Sequence, residues 1–130
     1  MRNAILAFLL ALTGCATATS NVVINDKSSA FSVNDYLKTA YDTLLESETD
    51  TGGHRIRAQL ETRAALDLLA NNTSVAPRSV PFEGPPTLAV ALALLERSEA
   101  DLVREHAAPA LDATRRAVKE LRAALNFPSP

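Results

Sequence analysis

Residues 31–48 read FSVNDYLKTAYDTLLESE, and they decide the fold class. Ser32 stands where a helix cap is needed, and Asp35, three residues on, completes the pattern of a capping box. Phe31 and Tyr36 occupy the two positions of a hydrophobic staple. Apolar residues then recur at Val33, Tyr36, Leu37, Ala40, Tyr41, Leu44 and Leu45, the spacing of one helical face. The helix is expected over 32–49. Glu46 and Glu48 in its last turn have the wrong sign for the helix dipole, so fraying is expected there.

The same period continues beyond the paired glycines Gly52-Gly53. A second helix is expected over 53–71, with Ile56, Leu60, Ala64 and Leu68 as its inward stripe and Ala65 and Leu69 widening it. Two helices joined by a short glycine turn predict an antiparallel hairpin. Residues 71–87 (NNTSVAPRSVPFEGPPT) hold four prolines within ten residues and exclude regular structure. This Pro-rich crossing, residues 72–86, must carry the chain to the next helix, with Val75, Val80 and Phe82 as inward anchors.

A third helix is expected over 87–107, on the heptad Leu88, Leu95 and Leu102 with Ala91, Leu92 and Ser98 between them. A fourth is expected over 109–126, on Leu111, Thr114, Val118, Leu121 and Leu125. The two stripes are out of phase by about 200°. This predicts a kink or a tight turn near Pro109, although no glycine is present to make a reversal, and a bent continuous helix is the alternative. The fold class is therefore all-α, a small antiparallel bundle of three to four helices, with residues 127–130 as a tail.

Few aromatics, no tryptophan and abundant alanine suit close-packed helices better than a β-sandwich. Thirteen basic residues oppose fifteen acidic ones, a balance that argues against nucleic acid as a partner. The histidines, His54 and His106, lack the neighbouring ligands that a helical metal site requires. No serine lies in a Gly-x-Ser-x-Gly turn, no Cys-x-x-Cys-His binds haem, and the glycines do not form a phosphate loop. No catalytic, cofactor or metal residue is assigned, and the chain is not read as an enzyme. On the last helix Arg115, Lys119 and Arg122 share one face with Arg116 beside them. This is either a contact face for anionic lipid, peptidoglycan or an acidic partner, or a solvated face balanced by Asp112 and Glu120.

The chain begins with Arg2 followed by the apolar run AILAFLLAL, residues 4–12. Nine residues cannot cross a bilayer, which takes about 20, but they suit the apolar region of a signal peptide. The run ends in Leu12-Thr13-Gly14-Cys15. Here the chain resembles the signal peptides of bacterial lipoproteins, whose lipobox ends in cysteine; the resemblance covers residues 1–15 only. It implies cleavage between Gly14 and Cys15 and lipidation of Cys15, the chain's one cysteine. Ala16, rather than aspartate, follows the cysteine, and in enterobacterial lipoproteins that implies the outer membrane, facing the periplasm. Residues 15–31 then read as the lipidated cysteine and a flexible tether, in which Val22-Val23-Ile24 either spans solvent or docks on the folded domain.

The expected function is that of a membrane-anchored adaptor or assembly protein. It would engage an envelope protein partner through a helical groove or the Pro-rich segment. The rival readings are a binding module for a small apolar or lipid ligand, and an exclusion or lysis lipoprotein of a mobile element.

Overall fold

The computed structural model describes residues 22–25, 31–47, 52–71 and 75–126. Gly14, Cys15 and the tail 127–130 lie outside them. Four helices follow in order: α1 (Val33–Glu46), α2 (His54–Ala70), α3 (Leu88–Arg104) and α4 (Ala108–Asn126). Packing runs round a square, α1 on α2, α2 on α4, α4 on α3 and α3 on α1. Each neighbouring pair is antiparallel: His54–Glu120 and Arg116–Glu61 register α2 on α4, Arg115–Glu99 and Arg122–Glu96 register α3 on α4, Arg55–Leu44 and Arg63–Tyr41 register α1 on α2, and α1 therefore opposes α3. The domain is an all-α four-helix bundle with one long crossing connection.

The start of α1 forms as its sequence predicts. The Asp35 N–H donates to Ser32 Oγ at 3.3 Å, and the Ser32 N–H donates to Asp35 Oδ2 at 2.8 Å. Phe31 and Tyr36 meet edge-on, ring centroids 6.3 Å apart. At the other end, α1 carries no cation of its own. Arg55, from the next helix, donates to the Leu44 carbonyl at 2.8 Å and supplies the missing charge.

The inward face of α2 is the expected one only at Ala65 and Leu69. Ala58, Thr62, Ala65 and Leu69 are buried, whereas Ile56, Leu60 and Leu68 are 46%, 63% and 46% exposed. This helix carries two stripes on opposite sides, and the one with small residues faces inward. The reason is the facing surface: α4 presents Ala110, Ala113, Ala117 and Ala124, all buried. Alanine against alanine lets two backbones approach closely, and leucines at the same positions would hold them apart. On α3 the predicted heptad is buried throughout, together with Val90, Ala91 and Leu94. On α4, Val118 and Leu121 are buried, but Leu125 is exposed.

The turn between α3 and α4 is tight. His106, at φ 56°, takes the left-handed position that glycine commonly fills. The His106 N–H donates to the Val103 carbonyl and the Ala107 N–H to the Leu102 carbonyl, the two bonds of a Schellman motif. Pro109 follows as the second residue of α4, where its missing N–H leaves no helical bond unmade. Because a side chain is strained at this φ, His106→Gly is expected to stabilise the fold by about 1 kcal/mol, a gain measurable by urea denaturation.

The crossing segment climbs α1 one turn at a time. The Arg78 N–H donates to Asp35 at 2.7 Å and the Val80 N–H to Thr39 Oγ1 at 2.8 Å. Val80 is buried and Phe82 partly so, as anchors should be, but Val75 is 72% exposed rather than inward. The choice left open for Val22 to Ile24 falls to docking. Ile24 pairs antiparallel with Phe82, the Asn25 N–H reaches the Pro81 carbonyl at 2.9 Å, and the Glu83 N–H reaches the Val23 carbonyl at 3.0 Å. Only six residues, 16–21, separate Cys15 from the docked Val22.

Four buried hydroxyls bond back to their own helices: Thr39 to the Asp35 carbonyl, Thr43 to Thr39, Thr62 to Ala58 and Ser98 to Leu94. Thr114 is equally buried, yet its hydroxyl has no partner among the described residues. A buried unbonded hydroxyl costs about 1–3 kcal/mol. Thr114→Val keeps the shape and removes the cost, so its thermal midpoint is expected to rise; a fall would contradict this packing.

Candidate functional site

The residues that sequence placed on a basic face are distributed by the fold. Arg115 reaches Glu99 at 3.1 Å and Arg122 reaches Glu96 at 2.6 Å, both across to α3. Arg116 turns the other way, to Glu61 of α2 at 3.0 Å. Lys119 lies exposed between these two rows. Three of the four cations therefore tie α4 to its neighbours, and their charge is balanced where they stand.

His54 joins a second cluster at the start of α2. Its Nδ1 lies 2.7 Å from Glu120 Oε1, and Arg57 Nε donates to the same oxygen at 3.1 Å. The His54 hydrogen bond holds Glu120 below the usual carboxylate range, against the cost of burial, and Arg57 adds to the effect. His106 is exposed in its turn, far from any such pairing. No group of three histidine, cysteine, aspartate or glutamate side chains is arranged to hold a metal among the described residues.

A concavity lies where α1, α2 and the crossing segment meet. It is an open cleft of about 490 Å³. Tyr41 of α1 and Leu66 of α2 form apolar walls, Val75 to Pro77 close one side, and Lys38 and Arg63 stand at the rim. Helical spacing accounts for the placement: Asn34, Lys38 and Tyr41 are four and three residues apart on α1, and Arg63, Leu66 and Asp67 share one face of α2. Arg63 lies over the Tyr41 ring, 5.9 Å from its centre, and donates to Asp67 at 3.1 Å. Lys38 is paired with Asp42 at 2.6 Å.

On the far side of the same segment is a second hollow of about 580 Å³. Its walls include Asp35, Arg78, Leu69 and Ala107. The segment 75–78 thus forms a partition, and Asn34, Val75 and Ala76 border both spaces. Asp35 anchors this partition. Burial works against its charge, but hydrogen bonds from the Arg78 and Ser32 N–H groups and from the Arg78 guanidinium outweigh it and hold its carboxyl below the usual range.

Sequence reasoning did not single out Lys38, Tyr41, Arg63 or Leu66 as site residues. A stripe of Asn34, Lys38 and Tyr41 reads as an ordinary half-buried edge, and only the return of the chain at 75–77 makes it a wall. No family model, no curated protein and no solved structure matches this chain. Its function must be argued from its own residues.

Proposed function

We propose that this chain is a lipid-anchored envelope protein that works by binding a partner protein in the cleft between α1, α2 and residues 75–77. The observation that carries the reading is the cleft itself, an apolar floor with cations at its rim, built where the expected helical groove and the Pro-rich segment coincide. Its occupant is an apolar segment of an envelope protein, with side chains against Tyr41, Leu66 and Val75. A carboxylate on that segment would lie beside Lys38 and Arg63. The lipobox residues Leu12 to Cys15 support the address, the outer membrane facing the periplasm. The docked Val22 supports a short reach: the six residues 16–21 span at most about 20 Å at full extension, so the domain stays close to the lipid surface.

A second reading is favoured by the size of the cleft, which falls within the range of small-molecule sites. An apolar or lipid ligand would occupy the same walls. Ala70→Trp fills the cleft from an exposed position that lines it and not the neighbouring hollow. Crosslinked in cells and purified, the wild type is expected to bring down one partner that Ala70→Trp recovers at least tenfold less. Equal recovery by both would overturn the cleft. A small molecule carried by the wild type alone, seen by native mass spectrometry, would favour the second reading.

A further inference from the structure

Val22 is the first described residue after Cys15, and its place on the bundle decides which side meets the lipid. Tyr36 and Thr39, three residues apart, share one side of α1. Arg97 of α3 lies over the Tyr36 ring, 4.7 Å from its centre, and the Val80 N–H donates to Thr39 at 2.8 Å. The crossing segment therefore runs along the seam of α1 and α3. Residues 23–25 pair with 81–83 on that seam. The cleft lies on a different side of the square, between α1 and α2.

We infer that the α1–α3 side lies on the headgroups of the membrane that holds Cys15, with the helix axes along the surface. The inference rests on the lipid anchor proposed above. Residues 16–21 reach at most about 20 Å, and a flexible chain of that length spans about 13 Å on average. Two helix layers make the bundle about 20 Å thick. With the α1–α3 side down, Val22 stands at the surface and the linker is relaxed. With the α2–α4 side down, Val22 stands a full bundle thickness above the lipid and the linker is stretched to its limit. Stretching removes conformations from the chain, so the first arrangement is the favoured one.

The side chains of this side suit a phospholipid surface. Arg78 lies over the Phe31 ring at 4.6 Å and pairs with Asp35, while Arg97 and Arg104 both pair with Asp101. The two carboxylate side chains are 6% and 7% exposed, but Arg78, Arg97 and Arg104 are 54%, 47% and 70% exposed. The anions lie beneath the surface and the guanidinium groups form it. A guanidinium matches phosphate with paired donors, and phosphate is the group that phospholipid headgroups share. Val23, exposed on the paired segment, offers an apolar side chain to the acyl boundary. Glu83 is also exposed, about 16 Å along the segment from Arg78, and Glu105 borders the hollow beside Arg78. Charges on this side balance, so the contact is made with individual phosphates rather than through a net basic field. The cleft then opens parallel to the membrane, where a partner beside the anchor can enter it.

Full-length lipidated protein, reconstituted into vesicles of phosphatidylethanolamine and phosphatidylglycerol, tests this with a fluorophore on one introduced cysteine. With Cys15 carrying its lipid, the introduced residue is the free thiol. Val23→Cys and Ser79→Cys place the probe on the α1–α3 side, and Leu60→Cys and Lys119→Cys place it on α2 and α4, all at exposed positions. A nitroxide on the lipid headgroups is expected to quench the first two at least threefold more than the last two. With Arg97→Gln and Arg104→Gln together, and helical circular dichroism unchanged, that ratio is expected to fall below twofold. An unaltered ratio would overturn the phosphate contact. Equal quenching at all four positions, or more at 60 and 119, in protein that floats with the vesicles would overturn the inference and leave the anchor standing. Protein that does not float with them would overturn the anchor, and this inference with it.

Discussion

Replacing Cys15 by serine is expected to move the protein out of the membrane fraction entirely. Among the described residues no helix is long and apolar enough to cross a bilayer. A lipid chain contributes roughly 0.8 kcal/mol for each buried methylene, and stable anchoring needs more than one chain. If Cys15 carries the lipid as proposed, removing its sulfur is expected to abolish attachment rather than weaken it. Metabolic labelling with palmitate should mark the wild type and leave Cys15→Ser unlabelled. Helical circular dichroism should be the same in both, because Val22 is the first residue that packs on the bundle among those described. A Cys15→Ser protein that stays in the membrane fraction would refute the anchor.

The largest expected effect on stability belongs to Asp35→Ala. Asp35 is 4% exposed and closes the capping box of α1, and it also accepts the Arg78 N–H at 2.7 Å and the Arg78 guanidinium at 3.3 Å. The substitution removes a helix cap, worth about 1 kcal/mol. It also strands donors at the base of the crossing segment, a further 1–3 kcal/mol or so. The sum, about 3 kcal/mol, corresponds to a fall of roughly 15 °C in thermal midpoint for a domain of this size.

Asp35 also fixes the acid limb of stability. Its carboxyl is held below the usual range in the folded state. Its contribution is therefore complete above about pH 4, the ordinary carboxylate value, and is lost as pH falls through the lower folded value. Asp35→Asn is expected to flatten the acid limb of a pH–stability curve. A limb as steep as that of the wild type would place the titration elsewhere.

The residues differ in how much they disclosed in advance. Ser32, Asp35, Phe31 and Tyr36 announced the start of α1 because caps and staples are local, and local chemistry is written in adjacent letters. The heptad of α3 was equally legible, since Leu88, Leu95 and Leu102 recur at one spacing and all three are buried. α2 was not: it has apolar residues on two faces, and the larger ones, Ile56, Leu60 and Leu68, drew the reading outward. The choice between stripes is made by the alanines of α4, some fifty residues further on. His106 hid the turn for a related reason, since the left-handed position is expected of glycine and was filled instead by a side chain held there by two carbonyl bonds.

The cleft was legible only in outline. A helical groove and a Pro-rich segment were both visible as candidate contact surfaces, but their union was not. It depends on Asp35 and Thr39 receiving N–H groups from residues 78 and 80, more than forty positions away. Nor could charge counting show that Arg115, Arg116 and Arg122 meet Glu99, Glu61 and Glu96, which belong to two different helices.

The account stands or falls on whether the anchored domain has a partner. In-cell crosslinking followed by affinity purification of the tagged full-length protein, run beside Cys15→Ser, addresses this most directly. The expected result is one dominant envelope protein, lost or strongly reduced in Cys15→Ser. Recovery of the chain with no other protein, from a membrane fraction in which it is abundant, would contradict it.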